Sequence, residues 1–253
     1  MKIQYASDLH LEFAQNWQFL KDHPLKVVGD VLVLAGDITY LGDEAYSSHP
    51  FWDWASDNYQ QVLVVPGNHE FYKYYDIATI KDGLLLRIRP NVNVYYNGVI
   101  RIGGAEIILS PLWARIPILD AYATERGVND FRRILYNKEL LTFAAFNEEH
   151  QRCIQFIKDV TRNTPECKRI IITHHVPSFQ LSSPDFKGSR INGAFVSDED
   201  NLIDNSNASY WIYGHSHRNI NARIGNTECL SNQLGYTFLG EHTDFNPSAL
   251  IEL

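Results

Sequence analysis

Five short runs of apolar, mostly β-branched residues end abruptly in polar side chains. Lys2–Ser7 alternates and then meets Asp8 and His10. Asp30–Ala35 meets Gly36 and Asp37, and Gln61–Val65 meets Pro66, Gly67, Asn68 and His69. Arg169–Thr173 meets His174 and His175, and Tyr210–Tyr213 meets Gly214, His215 and His217. Near-continuous apolar runs predict strands buried on both faces, as in a sheet covered by helices.

The intervening stretches predict helices over Glu44–Gln60, which is rich in aromatics, and over Phe71–Arg89, which ends before Pro90. Asn137–Arg162 has the clearest helical period. Leu141, Phe143 or Ala144, Ala145, Glu148, Cys153, Phe156, Ile157 and Val160 fall mostly on one face. Gly98–Leu109 reads as a hairpin turning at Gly103-Gly104, and Asn219–Leu230 as another turning at Gly225-Asn226. Strands alternating with helices, with hairpins between, predict an α/β fold with mixed sheets.

Composition narrows the class. At ~150 residues per domain, 253 residues allow one or two domains. No repeat, low-complexity tract or linker divides the chain, so 1–253 is expected to be a single domain. An apolar fraction of 45% and a charged fraction of 21% exclude a mainly disordered, collagen-like or coiled-coil chain. Cys153, Cys167 and Cys229 are odd in number and scattered. That argues against a disulfide framework or a cysteine zinc site, and for a reducing cytoplasm. The net charge of −8 argues against a broad nucleic-acid or anionic-membrane surface. No apolar run approaches the ~18 residues of a membrane span. The opening residues lack the apolar core of a signal peptide.

The polar residues at the strand ends carry the chemistry. Six of the ten histidines (His10, His69, His174, His175, His215, His217) directly follow predicted strands. In open α/β sheets, ligands gather outside the carboxyl ends of the strands. Taken singly, each motif has a plain alternative. Asp8-Leu9-His10 can chelate an ion, but such pairs are common by chance. Gly36-Asp37 also suits a turn. Asn68 also suits a helix cap, and His174-His175 also suits two satisfied imidazoles before the Pro177 bend. His215-Ser216-His217 after a buried strand is the sharpest chelating pattern of the set.

The ordered series D-x-H, G-D, G-N-H-E, H-x-x-P and G-H-x-H, running from Asp8 to His217, resembles the calcineurin-like metallophosphoesterase superfamily. The opening Asp8-Leu9-His10-Leu11-Glu12-Phe13 and the later Asn232-Gln233-Leu234-Gly235-Tyr236 look like its small bacterial branch. The resemblance implies a layered β-sandwich of mixed sheets flanked by helices, in an α/β-β/α arrangement. It implies two divalent transition-metal ions. Asp8, His10, Asp37 and His217 would hold one, and Asp37, Asn68, His174 and His215 the other, with Asp37 as the bridge. Mixed imidazole and oxygen donors suit Mn²⁺, Fe or Zn²⁺ better than Ca²⁺ or Mg²⁺. The implied reaction is hydrolysis of a small phosphodiester or phosphomonoester, a nucleotide among the candidates, by a hydroxide bridging the ions. His69 would be the general acid or an electrostatic stabiliser of the transition state.

Two departures qualify this expectation. Gly36-Asp37-Ile38-Thr39-Tyr40 lacks the Asp-Arg-Gly that the superfamily's protein phosphatases carry after this motif. The fourth motif has adjacent histidines. His174 is the expected ligand on H-x-x-P spacing, with His175 the alternative. Competing readings are a catalytically silent metal-binding scaffold of the same fold, which the intact motif set opposes, and a nuclease, which the acidic charge opposes. A zinc peptidase is excluded, because His69-Glu70-Phe71-Tyr72-Lys73 is not H-E-x-x-H. The long segments Ser178–Asp198 and Trp113–Tyr136 are expected to wall the site from opposite sides and to set specificity.

Overall fold

The computed structural model describes residues 1–41, 43 and 45–253. The strands are β1 (Lys2–Ala6), β2 (Val31–Ala35), β3 (Gln61–Val65), β4 (Tyr75–Asp76), β5 (Gly83–Arg89), β6 (Val92–Tyr96), β7 (Gly98–Ile102) and β8 (Ala105–Ser110). They continue with β9 (Ile134–Tyr136), β10 (Glu139–Leu140), β11 (Lys168–Thr173), β12 (Tyr210–Tyr213), β13 (Ala222–Ile224), β14 (Thr227–Ser231) and β15 (Leu250–Glu252). The helices are α1 (Ala14–Asp22), α2 (Pro50–Asn58), α3 (Ala121–Gly127), α4 (Asp130–Arg133), α5 (Phe143–Thr161) and α6 (Asp200–Asn205).

Two six-stranded sheets dominate, ordered β15-β1-β2-β3-β6-β5 and β13-β14-β12-β11-β8-β7. Each has four parallel strands between two antiparallel edge strands. The apolar alternation explains how they stack. Val31, Val33, Leu63 and Val65 of one sheet pack against Ile107, Leu109, Ile170, Ile172 and Ile212 of the other. The side chains between them point outward. Leu32, Leu34, Val62 and Val64 meet α1 and α2 through Leu20, Phe51, Trp52 and Ala55. Ile108, Ile171, Trp211 and Tyr213 meet α5 and α6 through Ile154, Ile157, Leu202 and Ile203. Strands buried on both faces therefore read as unbroken apolar runs. The expected α/β-β/α sandwich is borne out.

Both expected hairpins form, as β7–β8 and β13–β14. The helix expected over Phe71–Arg89 does not. That stretch holds a 3-10 turn, the short β4 and the edge strand β5, which pairs antiparallel with β6. Its run of leucines packs one flank of β5 beside α2 and carries no helical stripe. The helix expected over Asn137–Arg162 starts at Phe143, because Thr142 caps it by accepting the Ala145 N–H at 3.2 Å. Glu139–Leu140 pairs with β9 instead. Phe146, Glu149 and Ile154 face inward, whereas Glu148 is exposed. Within Glu44–Gln60 the helix is Pro50–Asn58, opened by a proline at its first position, where the missing N–H has no helical partner to lose. Glu44 lies outside the described residues.

Among the described residues no helix is long and apolar enough to cross a membrane.

Candidate active site

The carboxyl ends of β1, β2 and β3 meet those of β11 and β12. Five of the polar residues delivered there have left-handed backbone: Asp8 (φ 54°), His10 (48°), Asp37 (56°), His215 (77°) and His217 (49°). For residues other than glycine this costs ~1–3 kcal/mol each and persists only where the surroundings hold it. Here the strand-end turns hold one another. The N–H groups of Asp8 and His10 donate to the carbonyls of Gly36 and Asp37 at 2.9 Å. The His215 N–H donates to the Asp8 carboxylate at 3.0 Å. Glu70 joins the second and third motifs, accepting the N–H groups of Asp37 (2.9 Å), Ile38 (2.7 Å) and Gly67 (2.7 Å).

The imidazoles form two facing pairs. The Nε2 atoms of His10 and His217 lie 3.0 Å apart, and His174 Nε2 lies 3.0 Å from His215 Nδ1. Each ring's other nitrogen is engaged on the outside. His10 Nδ1 meets Glu12 at 3.0 Å, His217 Nδ1 meets Glu241 at 2.6 Å, His174 Nδ1 meets the Ala35 carbonyl at 2.8 Å, and His215 Nε2 meets the Ala194 carbonyl at 3.2 Å. An outer N–H committed to an acceptor turns the ring's lone pair inward. Two inward lone pairs at this distance require a proton or a cation between them.

Asp37 lies between the pairs, 3.7 Å from His10 Nε2 and 3.4 Å from His174 Nε2. Asp8 lies 3.4 Å from His217 Nε2. Asp8, His10 and His217 can hold a cation together, as can Asp37, His174 and His215. Asn68 Oδ1 is 3.2 Å from His174 Nε2. His175 belongs to neither cation group; its ring packs on His215 with centroids 4.2 Å apart, and on Trp113 and Phe146. A donor set of imidazoles, carboxylates and one amide fits divalent transition metals. The backbone leaves room for little else. A Cβ at Gly67 would fall 2.6 Å from the His174 ring and closer still to Asp37 Oδ1.

Protonation follows the same geometry. Burial opposes charge on His217, but hydrogen bonds to Asp8 and Glu241 outweigh it and push its pKa up to about 10. Burial is likewise outweighed at His174 by the charge of Asp37, which pushes its pKa up to about 9. Despite burial, the surrounding imidazoles, His174 foremost, hold Asp37 well below the usual carboxylate range. Burial drives His175 and His215 well down.

His69 sits beside both pairs. Its Nδ1 meets Glu12 Oε1 at 2.8 Å, and its Nε2 faces the Tyr236 hydroxyl at 3.4 Å. It also lies close enough to His10 and Asp37 to form a third possible cation group with them. Its ring stacks on Tyr72 with centroids 4.3 Å apart. Tyr72 and Asn68 both donate to Asp130 Oδ1 at 2.8 Å, so the insert carrying α4 orients the Asn68 amide.

A cavity of about 370 Å³ opens over the cluster. The segments expected to face each other across it are joined instead. Thr124 donates to the Arg190 carbonyl at 3.2 Å, and Ile191 packs against Gly127. They therefore form one continuous wall. The segment after His175 also touches the cluster directly, through the Ala194 carbonyl.

The motif reading brings Asp8, His10, Asp37, Asn68, His69, His174, His215 and His217 together. It assigned no role to Glu12, Glu70, Asp130, Tyr236 and Glu241. Glu12 lies in the turn two residues beyond His10, Glu70 ends the third motif, and Tyr236 ends the Asn232-Gln233-Leu234-Gly235-Tyr236 stretch. Asp130 and Glu241 are brought in by the fold.

Several known proteins are similar to this chain. A structure of phosphopantetheinyl hydrolase from Mycobacterium tuberculosis is similar, with a TM-score of 0.70 and 16% identity over 100% of this chain and 95% of that one. A dimetal phosphatase from Danio rerio is similar at a TM-score of 0.54 and 12% identity, covering 92% and 87% of the two chains. An uncharacterised protein of Acanthamoeba polyphaga mimivirus is 29% identical over 278 residues, covering 99% of this chain and 96% of its own. The family model described as calcineurin-like phosphoesterase matches residues 1–219, and with that match the chain belongs to the calcineurin-like phosphoesterase family.

Proposed function

We propose that the protein is a dinuclear metal-dependent hydrolase of small phosphoesters, working as a single domain over residues 1–253. The observation that carries this reading is the pair of inward-facing imidazole couples flanking Asp37. Asp8, His10, Asp37 and His217 would hold one ion, and Asp37, Asn68, His174 and His215 the other. Manganese, iron and zinc suit these donors. Bound there, divalent ions would supply Lewis acidity toward a phosphoryl group and the attacking water.

The chain's own residues do the rest. Glu12 and Glu241 accept the outer N–H groups of His10 and His217 and fix their rings. Asp130 holds the Asn68 amide so that its oxygen faces His174. His69 acts as the general acid. Its Nδ1 is held by Glu12, so Nε2 is the atom that delivers a proton to the departing oxygen. Aromatic side chains around the cavity favour substrates with flat groups, nucleotides included. Three free cysteines, two of them buried, suit a reducing cytoplasm.

Elemental analysis after saturation with Mn²⁺ tests the reading together with a hydrolysis panel. The panel holds bis-p-nitrophenyl phosphate, p-nitrophenyl phosphate, cyclic nucleotides and single-stranded DNA. Two ions per chain are expected, most of both lost in Asp37→Asn, with turnover of at least one small ester. One ion per chain would remove the dinuclear assignment. Absence of turnover with Mn²⁺, Fe²⁺, Co²⁺ and Zn²⁺ would favour a metal-binding scaffold.

A further inference from the structure

The ligand cluster is flanked by two separate apolar surfaces. The first lies beside His215. Phe195 stacks on the His215 ring with centroids 4.9 Å apart and planes at 27°. Phe195, Ile191 and Phe186 line both the main cavity and a side recess of about 90 Å³. The second lies beside His69. Tyr236 presents its hydroxyl to His69 Nε2 at 3.4 Å, and Phe238, 49% exposed, stacks on Tyr236 at 5.4 Å and 19°. Phe13 closes the edge of this platform, 5.6 Å from Phe238.

A phosphomonoester has one organic arm and would use only one of these surfaces. A phosphodiester has two arms, one on either side of phosphorus. The charge of the walls agrees. Among the described residues lining the cavity outside the imidazole cluster, Arg218 is the one cation, with its guanidinium over the Phe186 ring at 5.8 Å. Two acids, Asp130 and Glu241, line the same cavity. Beyond the proposed ions, the walls themselves add one cation against two acids.

We propose that the site is built for phosphodiesters. The retained arm lies in the Phe186–Ile191–Phe195 recess beside His215, and the departing arm lies on Tyr236 and Phe238 beside His69. This rests on the hydrolase function proposed above. In the step, the water oxygen bonds to phosphorus, and the bond from phosphorus to the departing oxygen breaks with its electrons kept on that oxygen. His69 gives that oxygen a proton and recovers one from the water. The product is a phosphomonoester still carrying the retained arm.

Three substrates with one leaving group test this on the Mn²⁺-loaded protein: p-nitrophenyl phosphate, methyl p-nitrophenyl phosphate and phenyl p-nitrophenyl phosphate. The phenyl diester should exceed the methyl diester in kcat/KM by roughly tenfold or more, the scale of an apolar pocket contact. The monoester should be the poorest of the three. Phe186→Ala and Ile191→Ala should each pull the phenyl-to-methyl ratio toward one while metal content stays at the wild-type level. A monoester turned over as well as the diesters would overturn the inference and leave the hydrolase reading standing. A phenyl advantage that neither variant reduces would also overturn it, because the retained arm would then lie elsewhere. If none of the three is hydrolysed with metal bound, the hydrolase reading itself fails.

Discussion

Glu12 accepts the Nδ1–H of His69 at 2.8 Å, and the same carboxylate oxygen meets His10 Nδ1 at 3.0 Å. One buried carboxylate, its side chain 4% exposed, therefore fixes the tautomer of a proposed ligand and of the proposed acid. Burial works against its charge, but the two imidazoles hold its pKa below the usual carboxylate range. Partners of this kind typically carry roughly 10–100-fold in metal affinity or activity. Glu12→Gln should lose activity on that scale at saturating Mn²⁺, and Glu12→Asp should recover part of it. Steady-state kinetics on both variants decide the matter, and wild-type kcat/KM in Glu12→Gln would remove the shared-orienter role.

His69→Ala separates an acid from a ligand. A general acid typically contributes ~10²–10⁴-fold to rate. A poor alkoxide leaving group needs the proton far more than p-nitrophenolate does. The variant should keep both ions, lose much activity on an alkyl ester and distinctly less on an aryl ester. Equal losses that track metal loss would make His69 a ligand, in line with its closeness to His10 and Asp37. Equal losses with metal retained would make it an electrostatic contact.

Legibility in the sequence followed burial. β2 and β3 are buried on both faces, so their apolar runs and abrupt polar ends stood out, and with them Asp37 and Asn68. β5 is a half-exposed edge strand with register shifts against β6, so its Leu84-Leu85-Leu86 run carried no clean period. The groups that hold the site were the hardest to see. Glu241 reaches His217 across 24 residues and Asp130 reaches Asn68 across 62. Neither belongs to a local pattern, and only the closing of the two sheets brings them in.

Metal uptake should release protons. In the ion-free protein His217 and His174 carry pKa values of about 10 and about 9, so both are charged at pH 7. Imidazole must be neutral to bind a metal. Each ion therefore displaces a proton, and apparent affinity rises with pH up to those values and falls as pH drops. Titration calorimetry at pH 7 in buffers of different ionisation enthalpy should show about two protons released per chain on filling both sites. Uptake without proton release would mean that these two rings are not ligands.

Gly67→Ala probes the close approach of backbone to cluster. The added Cβ would meet His174 at 2.6 Å, and Asp37 Oδ1 closer still. The His174 ring cannot yield easily, because its Nδ1 is tied to the Ala35 carbonyl at 2.8 Å. The two side chains should be pushed apart and Mn²⁺ occupancy should fall sharply, while the circular dichroism spectrum stays that of the wild type. Full occupancy in this variant would show that the cluster tolerates displacement of His174.

Glu70 tests whether the strand-end turns are held as one unit. Its carboxylate accepts N–H groups from Asp37 and Ile38 after β2 and from Gly67 after β3, and it is fully buried. Among the described residues, no lysine or arginine pairs with it. Burial, and then the charge of Asp37, push its pKa up to about 7. Its role is therefore to satisfy backbone donors, one of them on Asp37, which has left-handed conformation. Glu70→Ala would strand several buried N–H groups at roughly 1–3 kcal/mol each. Glu70→Gln keeps one acceptor oxygen but points an amide NH₂ at a donor. Both variants should lower the unfolding midpoint, Ala by more than Gln, and both should loosen metal binding, because Asp37 loses the anchor of its turn. Stability and occupancy should fall together across the two. A variant that lost stability while holding both ions at wild-type affinity would show that the Asp37 turn is set by the metals and not by Glu70.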